Sequence, residues 1–157
     1  MKLTIKKAVV LTAAVLSAFV MSGCTKDTVK NAGNGAVSDN TYAFVSKNVQ
    51  NSYMQKLYQG FDNACREAGA SAVYKAPHSY SPQEQADIIN ELTDAGIKGI
   101  AVAANDEDAL TESLQRAMSK GVKVVSVDSA VNENARLTHI QQADPEKIGR
   151  TLVASAY

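Results

Sequence analysis

Four short runs rich in valine, alanine and isoleucine, TYAFVS, SAVYK, KGIAVAA and VKVVSVD, recur between residues 41 and 128, and each is separated from the next by a segment with helical periodicity. No feature of the chain restricts its fold more. Runs such as Val122, Val124, Val125 and Val127 are apolar on successive residues, as strands are when both faces of their sheet are covered. The first intervening segment, SYMQKLYQGFDNACREAG, carries an apolar stripe of Met54, Leu57, Tyr58, Phe61, Ala64, Cys65 and Ala68 and closes on Gly69. The second, SPQEQADIINELTDAG, offers Ser81 as N-cap, Pro82 in the first turn and Gly96 at the end. The third, DEDALTESLQRAMSKG, opens on three acids near the positive end of a helix and closes at Gly121. Strands joined through helices require right-handed crossovers and a parallel sheet. The expected class is therefore α/β, an open parallel sheet with helices on both faces in the Rossmann-like manner.

Beyond Asp128 the rhythm loosens. SAVNENA reads as a loop and RLTHIQQ as a fifth strand. DPEKIGRTLVASAY reads as a further helix with Asp144 as N-cap and Pro145 at its first position. The chain reaches Tyr157 inside that helix, so either the helix is terminal in this fold or, as is expected, the sequence is a piece of a longer protein.

Residues 1–23 differ from the rest. Lys2, Lys6 and Lys7 precede the apolar run AVVLTAAVLSAFV, too short for a mature membrane span, so the segment reads as a signal peptide. It ends in MSGC, which resembles the lipobox of bacterial lipoproteins. In that family the cysteine is joined to diacylglycerol, so the resemblance makes Cys24 a lipid anchor and the membrane a partner through that anchor alone. Residues 25–40, TKDTVKNAGNGAVSDN, are polar and without apolar period, as a flexible tether would be. Removing the leader changes 16 basic and 16 acidic residues to 13 and 16, a net charge of −3. That balance gives nucleic acid no basic surface to bind.

Ligands of open parallel sheets bind beyond the carboxyl ends of the strands. There this chain places Ser46, Lys47 and Asn48, then Pro77 and His78, then Asn105 and Asp106, and last Asp128 and Ser129. Amides, hydroxyls, one cation and carboxylates suit a polar, uncharged ligand rich in hydroxyls. Cofactor and enzyme readings lack their motifs. The turn SKNVQNSYM is neither a dinucleotide fingerprint nor a phosphate loop. No G-x-S-x-G elbow occurs, and His78 and His139 have no partners at metal-ligand spacing. No cofactor, no metal and no catalysis are expected.

Four stretches together, AFVSKNVQNSYMQKLYQGF, VYKAP with QEQADIIN, GIKGIAVAANDEDAL, and GVKVVSVDSAVNENARLTHIQQADPEKIGR, resemble the first lobe of the sugar receptors of bacterial ABC importers. These are type I periplasmic binding proteins, and the likeness falls in the group that binds ribose, rhamnose or autoinducer-2. Lys47, Pro77 and the pair Asp128–Ser129 resemble the rhamnose and autoinducer-2 branch, and that branch's N-P-Y-F motif stands here as Asn51, Ser52, Tyr53 and Met54. The resemblance implies that Lys47 and Asp128 bond ligand hydroxyls and that Tyr53 lies against the C–H face of the ring. It adds Asn51, Asn105 and Ser129 as supporting groups. It also places the first lobe at residues 41–142, starts a second lobe at 143–157, and supplies a permease as partner. Each residue has another reading: Asp128 as a loop cap, Lys47 as a solvated side chain, Tyr53 as core, and Asn51 and Asn105 as caps of the first and third helices. A sensing receptor on the same fold, or less readily an α/β enzyme, are the alternative functions.

Overall fold

The computed structural model describes residues 39–157. The export segment, Cys24 and most of the tether expected from the sequence lie outside them. The described elements alternate: β1 (Thr41–Val45), α1 (Ser52–Glu67), β2 (Ser71–Lys75), α2 (Pro82–Asp94), β3 (Gly99–Val102), α3 (Thr111–Ser119), β4 (Lys123–Val127), β5 (Thr138–Ile140) and α4 (Pro145–Ser155). The strands form one sheet in the order β2-β1-β3-β4-β5, and all four pairings are parallel. This is the α/β sheet that the alternation of runs requires.

Successive strand residues point to opposite faces, and each face has its own core. On one face Ala43, Val45, Ile100, Val102 and Val124 pack against Ala86, Ile89 and Leu92 of α2 and against Leu114 and Ala117 of α3. On the other, Phe44, Ala101, Ala103 and Val127 receive Met54 of α1, with Leu57, Tyr58 and Phe61 along its margin. The second core is aromatic. The rings of Phe44 and Phe61 meet edge to face at 5.7 Å, and those of Tyr58 and Tyr74 lie 5.1 Å apart. Burial, with the Asp62 carboxylate beside it, raises the pKa of the Tyr58 hydroxyl above its ordinary value. Cys65 is a buried free thiol on α1, and its pKa too is raised by burial and Asp62.

Local chemistry sets the helix limits. Asn51, Ser81 and Asp144 accept backbone N–H bonds at the starts of α1, α2 and α4. The chain leaves α1, α2 and α3 through Gly69, Gly96 and Gly121, all at positive φ. At each exit the next N–H returns to the carbonyl five residues back, as Ala70 does to Cys65 at 2.8 Å.

Two expectations need correction. The third helix starts at Thr111, not among the acids. Asp106 Oδ1 accepts from the N–H groups of Asp108 and Ala109, and this local turn replaces the first helical turn. Leu110 is the cap residue and makes no side-chain bond there, so Asn105 does not cap α3. The fifth strand is shorter than RLTHIQQ, and the loop before it contains a 3-10 turn at Glu133–Ala135. An edge strand paired only with β4 has no second neighbour to extend it. Helix α4 buries none of its residues.

Candidate functional site

The carboxyl ends of β1, β3 and β4 lie side by side, and the residues that follow them meet there. Lys47, two residues past β1, places Nζ 3.0 Å from Asp128 Oδ2 and also bonds the Ser129 hydroxyl. Both charged side chains are about three-quarters buried, with 23% and 26% of their surface exposed. Ser129 Oγ lies 3.4 Å from the same Asp128 oxygen. The contacts of the Asp128 carboxylate with Lys47 and Ser129 thus both fall on Oδ2.

Asp128 has a φ of 65°, and it is the one non-glycine residue at positive φ among those described. Left-handed backbone is costly for most L-residues and least so for Asn and Asp, whose short polar side chains suit it. The bend comes where β4 ends, and it turns the carboxylate across toward Lys47. Strained backbone of this kind concentrates at functional sites.

Asn105 follows β3, and its Nδ2 donates to the Lys47 carbonyl at 2.9 Å. Its own N–H is held by Oε1 of Gln85 at 3.0 Å. Gln85 Nε2 donates in turn to the carbonyls of Ser46, at 3.0 Å, and Ala103, at 2.8 Å. Four of the six candidates, Lys47, Asn105, Asp128 and Ser129, thus share one hydrogen-bonded cluster. Asn51 and Tyr53 stand apart from it at the head of α1. Asn51 caps that helix through Met54 N–H at 3.1 Å, which uses one lone pair of its side-chain oxygen. Tyr53 is half-exposed rather than part of the core stripe, and its neighbour Met54 fills the core.

A concavity of about 450 Å³ opens at this edge, lined by Lys47, Tyr80, Asn105, Asp106, Glu107 and Ser129 with two alanines. Tyr80 and Glu107, which line it, were not foreseen as site residues, and neither was the buried Gln85, which bonds the loops around it. Gln85 had a signal, since a glutamine four residues before Ile89 on the apolar stripe of α2 demands internal hydrogen bonds. Tyr80 had none, because exposed loop residues leave no periodic trace.

The concavity presents an ammonium, a hydroxyl, an amide and the carboxylates of Asp106 and Glu107, and Asp128 is tied to its lining through Lys47 and Ser129. Vicinal hydroxyls offer the matching set of donors and acceptors.

The model of the periplasmic binding protein domain matches residues 42–156. The chain belongs to that family. Within it, the fold is similar to an ABC transporter solute-binding protein from Clostridium phytofermentas with bound L-rhamnose. That match has a TM-score of 0.71 and 34% identity over 76% of this chain and 37% of the other. LsrB from Clostridium saccharobutylicum, in complex with AI-2, matches with a TM-score of 0.69 and 25% identity over 73% of this chain and 35% of the other. The D-allose-binding periplasmic protein of Escherichia coli (strain K12) is 26% identical over 92 residues, which are 58% of this chain and 30% of that protein. The chain thus spans between 30% and 37% of the length of these relatives. The expected architecture, a lobe of a type I periplasmic binding protein, holds. Family membership also agrees with a binding protein rather than an enzyme, and with export.

Proposed function

We propose that this chain forms one wall of the monosaccharide site in the substrate-binding component of a bacterial ABC sugar importer. The observation that carries the reading is the Lys47–Asp128–Ser129 cluster at the carboxyl edge, with Asp128 held in left-handed backbone. Asp128 accepts from ligand hydroxyls through its carboxylate, while Lys47 and Ser129 donate to ring or hydroxyl oxygens. Asn105 supports Lys47 and adds an amide. Tyr53 covers the C–H face of the ring, and Asn51 sets the start of its helix. The ligand class is a 6-deoxyhexose, a pentose or autoinducer-2. The neighbours with bound L-rhamnose and AI-2 support that range.

Residues 41–142 make this wall, and residues 143–157 begin a second lobe that closes over the sugar. The exposed apolar side chains of α4, Ile148, Leu152 and Val153, support the assignment. Residues 1–23 direct export, Cys24 carries the lipid, and residues 25–40 tether the lobe to the membrane, where permease subunits receive the ligand.

L-rhamnose added to the ¹⁵N-labelled chain is the test. One wall alone encloses little of the sugar, so binding on the order of 1 mM is expected, with amide shifts centred on Lys47, Asn105 and Asp128. Asp128→Ala should weaken it at least about tenfold, the factor for a lost hydrogen bond to a charged group. Equal affinity in the variant would remove Asp128 from the site.

A further inference from the structure

Gln85 is fully buried on α2 beside Ala86, Ile89 and Leu92, and unlike the other buried polar residue of the helix, Thr93, whose hydroxyl bonds the Ile89 carbonyl one turn back, it bonds outside its own helix. Both ends of its amide are directed to main-chain groups at the carboxyl edge of the sheet. The carbonyls that it binds, those of Ser46 and Ala103, belong to the residues just past the last paired positions of β1 and β3, Val45 and Val102. The third bond, from the N–H of Asn105, reaches the residue whose side chain holds the Lys47 carbonyl. One side chain therefore joins two loops that are 39 and 18 residues away from it in sequence. An apolar side chain of the same volume would fill the space equally well. What it could not do is satisfy three backbone groups where the strand ladder stops.

We propose that Gln85 is the positioning residue of the ligand site. It locks the β1 and β3 loops in one relative placement, so that Lys47 and Asn105 meet the sugar without being ordered by it. The proposal rests on the reading of this edge as a sugar wall. Groups fixed before binding contribute affinity that mobile groups lose to ordering, which is why the effect reaches a ligand that Gln85 never touches.

The experiment compares Gln85→Met, Gln85→Glu and Ile89→Val in the full chain, each titrated with L-rhamnose and each followed by melting and amide exchange. Gln85→Met should lower affinity about tenfold and speed exchange at Asn105 N–H, because three backbone groups lose their partner. Gln85→Glu, buried and neutral as a carboxylic acid, keeps the acceptor for Asn105 and one donor, so it should recover part of the affinity. Ile89→Val loosens the same helix face without touching the loops. It should lower the melting temperature while leaving affinity within about twofold. Gln85→Asn, too short to reach both loops, serves in place of Gln85→Met should that variant not fold. A Gln85→Met protein that melts lower yet binds as the wild type does would overturn the positioning role, and so would affinity that merely follows melting temperature in all variants. A wild-type chain unresponsive to L-rhamnose would overturn the sugar reading and the role together. Exchange at Asn105, measured without sugar, would then still report whether the tie between the loops exists.

Discussion

The edge where β1, β3 and β4 end and the segment formed by β5 and α4 are built in opposite ways. At the first, polar side chains are buried or half-buried and bonded to one another and to the main chain, over a sheet that is apolar on both faces. At the second, a three-residue strand hangs on one neighbour, and α4 leaves Leu152 and Val153 more than 60% exposed. At the first, polar groups sit inside and, the side-chain oxygen of Asn48 excepted, have partners, whereas at the second apolar groups sit outside. The contrast teaches that burial alone does not mark the functional region here. Fixed polar groups do, because a site must hold donors and acceptors still before the ligand arrives.

The largest effect should come from breaking the packed region. Ile89→Ala removes a fully buried side chain from the core beneath the edge and should cost about 2–5 kcal/mol by chemical denaturation. Leu152→Ala on α4 should stay within about 0.5 kcal/mol in the same assay. Equal losses would mean that the two regions do not differ as described.

A middle-sized effect separates backbone strain from charge at Asp128. Asp128→Val forces a β-branched residue to hold a φ of 65° and should cost about 1–3 kcal/mol of stability. Asp128→Gly relieves the backbone and loses only a partly exposed ion pair, so its stability should stay within about 1 kcal/mol of wild type while sugar binding falls. If both variants melted alike, the left-handed backbone would not be the costly element.

The smallest effect lies on the outer surface between α2 and α3. Hydrogen bonds from Lys120 and then Arg116 lower the pKa of Asp94 below its ordinary value. A carboxylate with a depressed folded-state pKa contributes stability above its unfolded pKa and loses it as pH falls through the folded one. Asp94→Asn should therefore trail the wild type slightly at neutral pH and converge with it in acid, and added salt should narrow the gap further. A gap that widened on acidification would reverse the assignment.

The fold was legible because its determinants are local and periodic. Val124 and Val125, on successive positions, mark a strand covered on both sides, and Gly69, Gly96 and Gly121 mark the helix ends. The start of α3 was not legible, because Asp106 can serve equally as a first-turn acid or as the acceptor of a tight turn, and only the bonds to Asp108 and Ala109 decide. At the site, strand ends named Lys47, Asn105, Asp128 and Ser129, which topology brings together whatever their side chains do. The Lys47–Asp128 pair spans 81 positions of sequence and leaves no pattern in it. Gln85 was visible only as an anomaly on an apolar face, and Tyr80 was not visible at all.

The most direct test is a crystal structure of the chain grown with L-rhamnose in large excess. The sugar should lie at the ends of β1, β3 and β4, with hydroxyls within hydrogen-bond distance of the Asp128 carboxylate and Lys47 Nζ and the Gln85 bonds intact. Sugar bound elsewhere on the lobe, with the Lys47–Asp128–Ser129 cluster untouched, would contradict the reading of this edge as a sugar wall.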